Sequence, residues 1–276
     1  MDYRFLNPYV RFAMRIRRGA SYEEPVCAYD YRLFYVLVNE CRLCIGASEE
    51  RLGPGDLAIL PPAVGYRLYY QPEAPCTFVL LNFDLDAQCY CEEPLAPVCE
   101  ADFDATRMFS PLRIPPFDVP LLGREHFALR QPMERICDLM QNAPQYGADM
   151  ASAELKGALL QVVAERDAEH ENALLSYIRH YLDVNFLLPL TNGIVAKRFG
   201  YHPYYLNQLF SAGTGQSIHA YLIAQRLRYA QQLLLSTERG ISVIALECGF
   251  GSASWFSECF KAKVGVSPSE YRGRGK

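Results

Sequence analysis

Histidine is scarce in this chain: there are five in 276 residues, and His126 is the only one before His170. Metal sites of the two-histidine, one-carboxylate kind need a pair, so none can be assembled in the first 169 residues, and neither metal nor other cofactor is expected. Long apolar runs are absent too. Asp2, Arg4, Arg11, Arg15, Arg17 and Arg18 break up the N-terminus, which argues against a secretory leader. Nowhere do about 20 apolar residues follow one another as a membrane span requires. A soluble, cytoplasmic protein is expected. No nucleophile, base and orienting group stand at a recognisable spacing, so an enzyme is not expected. Cysteine is plentiful, with ten residues, but paired zinc-finger spacing is missing. Cys41 and Cys44, three apart in an expected strand, fall on opposite faces, and Cys89, Cys91 and Cys99 have no companion pair. Reduced, mostly buried thiols are the expectation. A thiol or metal sensor built on Cys89, Cys91 and Cys99 is the alternative.

Glycine and proline are missing from the twenty residues between Ser217 and Ser236, and on either side of that stretch the same punctuation occurs. The first copy runs Ile194-Val195-Ala196, then Gly200-Tyr201, Tyr205, Phe210, Gly215, Ser217 and Tyr221. The second runs Val243-Ile244-Ala245, then Gly249-Phe250, Trp255, Phe260, Gly265, Ser267 and Tyr271. One supersecondary element is used twice. An apolar pair, Ala, three residues and Gly predict a short helix ended where positive φ is cheap. His202-Pro203 then opens a second helix with Leu206, Leu209 and Phe210 on one face. Ser252 is the matching N-cap, followed by Phe256, Cys259 and Phe260. Two helices about a tight Gly turn make a helix-turn-helix, whose second helix enters a DNA major groove. The stretch between the copies, apolar at helical spacing, predicts a rod of roughly 30 Å. That is close to the ~34 Å between successive major-groove faces on one side of a duplex.

These residues, with Thr214, Leu222, Arg226, Ala230, Leu233-Leu234, Lys261, Pro268 and Arg272, resemble the two-motif DNA-binding domain of the AraC/XylS-type transcription regulators over residues 174–272. By position in that motif, the exposed reading face of the first motif is His202, Tyr204, Asn207 and Gln208. In the second it is Ala253, Ser254, Ser257 and Glu258. Asn and Gln can pair bidentately with adenine, and Glu can accept from cytosine N4. Gln208 and Glu258 stand where many relatives carry Arg, and Ser211 replaces a common Lys. Glu258 should repel phosphates, so the second motif should contribute less affinity than the first. Charge agrees with this division. Residues 173–276 hold 11 Lys and Arg against 5 Asp and Glu, and residues 1–172 hold 16 against 26. A basic half suited to the phosphate backbone is joined to an acidic one that is not.

The acidic half reads as short apolar runs divided by Gly, Pro and charge: Leu33–Val38, Arg42–Ile45, Leu57–Leu60, Arg67–Tyr70 and Thr77–Leu81. Strands at that spacing predict a sandwich or small barrel. Leu52-Gly53-Pro54-Gly55-Asp56-Leu57, then Leu60-Pro61-Pro62, resembles the cupin-like sensing barrel of the same family. Leu81-Asn82-Phe83-Asp84 resembles its closing strand, and Tyr66 stands where metal-binding cupins place a His. An apolar barrel with inward Tyr and Arg suits one small molecule, a sugar or other metabolite. Tyr35, Tyr66, Tyr69 and Phe83 are its candidate contacts, with Arg17 or Arg32 for an anionic group.

Residues 124–168 predict two amphipathic helices around a break at Gln141–Asp149. The resemblance implies that they form a dimer interface; packing onto their own barrel is the alternative. The expected architecture is therefore α+β. A cupin-like barrel (1–123) is followed by a helical dimerisation segment (124–168), a short linker (169–173) and an all-α tandem helix-turn-helix domain (174–276) whose motifs are joined by a long helix. The resemblance implies a homodimeric, effector-controlled transcription regulator, an activator, with double-stranded DNA, a small molecule and RNA polymerase as partners and no membrane.

Overall fold

Between Tyr31 and Val38 apolar side chains occupy both parities, and a strand of that kind must be covered on both faces. In the computed structural model, which describes residues 3–21, 24–87, 96–108, 114–143 and 145–274, it is buried along nearly its whole length. Tyr31, Leu33, Tyr35 and Leu37 enter one apolar core, and Phe34 and Val36 enter another. Cys89 and Cys91 lie outside the described residues.

The chain divides into two compact units, Met1–Glu165 and Arg166–Lys276. The first contains β1 (Tyr9–Arg18), β2 (Val26–Cys27), β3 (Tyr31–Val38), β4 (Cys41–Ile45), β5 (Ser48–Leu52), β6 (Leu57–Leu60), β7 (Arg67–Tyr69), β8 (Cys76–Asp84), β9 (Val98–Cys99) and β10 (Leu121–Gly123). Five of them form an antiparallel sheet in the order β1-β8-β3-β6-β10, three form a second sheet, β5-β4-β7, and β2 pairs with β9. Leu43, Leu52 and Leu68 of the smaller sheet share a core with Phe34, Ala58, Leu60 and Phe78 of the larger. The unit is thus two sheets packed face to face, not one closed barrel. Leu81–Asp84, expected to close a barrel, belong to β8 and lie inside the larger sheet between β1 and β3.

The other face of the larger sheet is covered by helix α1 (Arg130–Asn142) and the first part of α2 (Gly147–Asn185). Met133, Ile136, Cys137, Leu155, Leu159, Val162 and Val163 pack there against Leu33, Tyr35, Leu81 and Phe83. At about 1.5–3 kcal/mol for each large side chain fully buried, this face is a main source of the unit's stability. The apolar stripes that could have formed a dimer seam are spent on their own sheet. Residues 169–173, expected as a linker, are helical within α2.

The second unit continues with α3 (Asn192–Phe199), α4 (Pro203–Thr214), α5 (Ile218–Ser236), α6 (Ile241–Glu247), α7 (Ala253–Val264) and α8 (Pro268–Arg274). It has two cores. Val195, Ala196, Leu206 and Phe210 form the first with Leu174, Ile178 and Leu182. Ile244, Ala245, Phe250, Phe256 and Phe260 form the second. Helix α5 serves both: Ile218 and Leu222 enter the first, and Leu227, Ala230 and Leu234 enter the second.

Candidate nucleic-acid interface

Each short helical pair is punctuated by side chains that satisfy its terminal amides. Thr191 accepts from Ile194 N and starts α3; Gly200, at φ +77°, ends it, and the amide of Tyr201 donates to Ala196 O. His202 caps α4 through Nδ1, which accepts from Tyr204 N at 3.3 Å, and Pro203 takes the first turn, where no amide partner is needed. In the second copy Ser252 accepts from Trp255 N to start α7. Ser267 and Glu270 form a reciprocal capping box on α8: Glu270 Oε2 accepts from Ser267 N and Ser267 Oγ accepts from Glu270 N.

Between the two lobes lies Arg226, buried on α5. Its guanidinium donates to three carbonyls: Phe186 O (2.7 Å), Leu188 O (2.7 Å) and Gly249 O (2.9 Å). Burial lowers its pKa from the usual arginine value. One planar group thereby ties the segment after α2 to the turn before α7, a task for a fork of donors that a point cation cannot copy. The turn depends on glycine as well. Gly249 sits at φ +78°, and a Cβ there would lie 2.8 Å from Leu187 O and 3.2 Å from Arg226.

The inferred reading faces differ in what they leave available. On α4, Tyr204 is 73% exposed and Gln208 is exposed, whereas Asn207 is half-buried with its Oδ1 accepting from Ile218 N at 3.1 Å. A bidentate adenine contact needs both amide atoms, and Asn207 gives its Oδ1 to the first amide of α5, whose N-cap is Ser217. The second copy explains the choice of residue. Its counterpart of Ile218 is Pro268, which has no N–H to satisfy, and its counterpart of Asn207 is Ser257, whose hydroxyl donates to Ala253 O at 2.8 Å. Ala253 and Ser257 are half-buried, and Ser254 and Glu258 are exposed. Sequence reasoning passed over Trp255, on the first turn of α7. It packs against Phe250 (ring centroids 5.3 Å apart) and His219 (6.1 Å). Its signal was there: the chain's one tryptophan stands 50 residues after Tyr205. Lys197 and Arg198, exposed at the end of α3, are further cations on this unit.

The effector residues inferred from sequence do not converge. Tyr35 and Phe83 belong to the core under the helices, with the Tyr35 hydroxyl donating to His126 O at 3.2 Å. Tyr66 belongs to the core between the sheets, Tyr69 is half-buried beside Arg42 and Arg67, and Arg17 is exposed. Arg32 is buried and ion-paired with Asp30 at 2.8 Å. It lies on the same parity of β3 as Phe34, directly across from Asn82 of β8. Near it three buried oxygens, Asp30 Oδ2, Asn82 Oδ1 and Asp84 Oδ1, have no hydrogen-bond partner among the described residues. Of the alternative sensor thiols, only Cys99 is described. It donates to Glu24 at 2.8 Å, which raises its pKa and disfavours a reactive thiolate. Among the described residues no group of His, Cys, Asp and Glu could hold a metal ion, and no helix is long and apolar enough to cross a membrane.

Two capped helical pairs, sharing one long helix and each leaving a reader helix exposed, define a tandem helix-turn-helix protein. The Helix-turn-helix domain family matches residues 195–274. The regulatory protein SoxS of Salmonella typhimurium is 34% identical over 105 residues, 38% of this chain and 97% of SoxS. The transcriptional activator RhaR of Klebsiella pneumoniae is 33% identical over 134 residues, covering 46% of this chain and 48% of RhaR. The uncharacterized regulator YijO of Escherichia coli is 29% identical over 160 residues, covering 55% and 56%. The matches thus span nearly all of SoxS and about half of the two longer relatives. The chain belongs to the AraC/XylS-type family of transcription regulators.

Proposed function

We propose that this chain is a sequence-specific transcription regulator that binds double-stranded DNA through α4 and α7. The observation that carries the reading is the duplicated exposed face, Tyr204 and Gln208 on one helix and Ser254 and Glu258 on the other, each backed by its own core. His202, Ala253 and Ser257 flank these faces. Selection of bound duplexes from a random pool, followed by gel-shift titration of the full chain, tests it. We expect two half-sites about one helical turn, ~10 base pairs, apart. Absence of any enriched sequence would sink the reading.

The β unit of residues 1–123 is, on this proposal, a cupin-like sensor for a small-molecule effector that binds one arrangement of the protein better than another. Tyr66 and Arg32 are retained as contacts, and the buried oxygens of Asp30, Asn82 and Asp84 favour a ligand rich in hydrogen-bond donors, such as a polyol. Residues 124–168 support a homodimer through surfaces other than the stripes buried on the sheet, 169–173 connect the sensor to the reader, and 174–276 read DNA. That the relative RhaR is named a transcriptional activator supports activation as the sign of regulation, and RNA polymerase is on this proposal a further partner. Thermal shift across a metabolite panel checks the sensor: a polyol hit lost in Asn82→Ala is the expected pattern.

A further inference from the structure

A cleft of about 460 Å³ opens within the second unit between α5 and α7. Its size falls in the range of small-molecule sites. It exists because the two helices present alanines toward each other: Ala220 and Ala224 on α5 and Ala262 on α7 leave space that larger side chains would fill. One wall is the indole of Trp255, with the His219 ring beside it. Lys263, exposed in the last turn of α7, stands at the cleft with no ion-pair partner among the described residues, and no carboxylate lines it. An apolar hollow with an aromatic wall and an unopposed ammonium group is complementary to an apolar body ending in an anion.

We propose that this cleft binds a small apolar carboxylate, its hydrocarbon or aromatic part against Ala224 and Trp255 and its carboxylate at Lys263. The site is distinct from the sensor proposed in the β unit and does not depend on it. Trp255 is the chain's sole tryptophan, so indole fluorescence reports occupancy directly. The test titrates the full chain with phenylbutyrate and, as a neutral isostere, phenylbutyramide. Expected are a saturable change with phenylbutyrate, at least about tenfold weaker binding of the amide, a similar tenfold weakening of phenylbutyrate binding in Lys263→Gln, and loss of the signal in Ala224→Leu, which fills the hollow. Circular dichroism and thermal melting of both variants establish that they fold, and Ala220→Leu serves as a second filling variant should Ala224→Leu melt early. No saturable change at millimolar phenylbutyrate would overturn the proposal. So would equal binding of acid and amide, or undiminished titration of a folded filling variant.

Discussion

At the scale of single residues, the reader helices show how one polar side chain can be read two ways. From sequence Asn207 is an exposed base contact; in the fold its carbonyl oxygen holds the first amide of α5, eleven residues on. Only the comparison of Ile218 with Pro268 carries that signal, because one copy has an amide to satisfy and the other does not. Asn207→Ala should therefore cost about 1 kcal/mol of stability, as loss of a cap does, and weaken specific and random duplexes alike. Gln208→Ala should leave the melting temperature unchanged and cost roughly 1–3 kcal/mol on the selected operator only. Parallel melting curves and gel-shift titrations separate the two, and a purely specific loss in Asn207→Ala would restore it as a reader. In the β unit, burial pushes Asp30 up to about 6, a rise that the neighbouring Arg32 only partly opposes. The folded state then holds this proton more tightly than the unfolded chain. Its stabilising contribution is complete below the unfolded value near 4 and is lost as pH rises through about 6, an effect on the order of 2–3 kcal/mol. Urea unfolding of the β unit from pH 4 to 7 should show that decline, and Asp30→Asn should flatten it.

At the scale of elements, legibility followed the amount of apolar surface. The runs around β3, β4, β6, β7 and β8 announced themselves, and so did the helix boundaries at Gly200, His202-Pro203, Ser217 and Ser252. Strand β5, Ser48–Leu52, did not: its sequence is Ser-Glu-Glu-Arg-Leu, and only Leu52 is buried. A strand at a sheet edge can be polar because half of it faces solvent, so pairing with β4 rather than side-chain pattern makes it a strand. Closure was illegible for a related reason, since alternation gives the faces of strands but not their order in a sheet. The joint of the two reader lobes was equally hidden, because the partners of Arg226 are backbone carbonyls. Arg226→Met should destabilise the reader unit by about 2–4 kcal/mol, and Arg226→Lys should recover less than half of that, since an ammonium cannot reach three divergent carbonyls. Gly249→Ala should cost at least about 2 kcal/mol through positive φ and collision with Leu187 O. Denaturant titration of the full chain checks all three variants.

At the scale of the whole molecule, the deciding quantity is charge. The overall −4 is a sum over an acidic first part and a second part of 11 cations against 5 anions. Each phosphate neutralised releases counterions, and the logarithm of the binding constant falls with the logarithm of salt at about −0.9 per contact on duplex DNA. Of the 11 cations from residue 173 onward Arg226 and Arg239 are engaged elsewhere; with about half of the remaining nine meeting phosphates, about four to six contacts are within reach, which sets the expected slope at roughly −4 to −5. Glu258 enters with the opposite sign on the exposed face of the second reader. Glu258→Gln should therefore raise affinity for random duplexes severalfold while leaving the slope unchanged, because it removes a repulsion without adding a phosphate contact. Gel-shift titrations of both proteins between about 50 and 200 mM salt decide the matter. A slope shallower than about −2, or a Glu258→Gln protein that binds no better, would mean that this face of the basic unit is turned away from the phosphates and that its charge serves solubility instead.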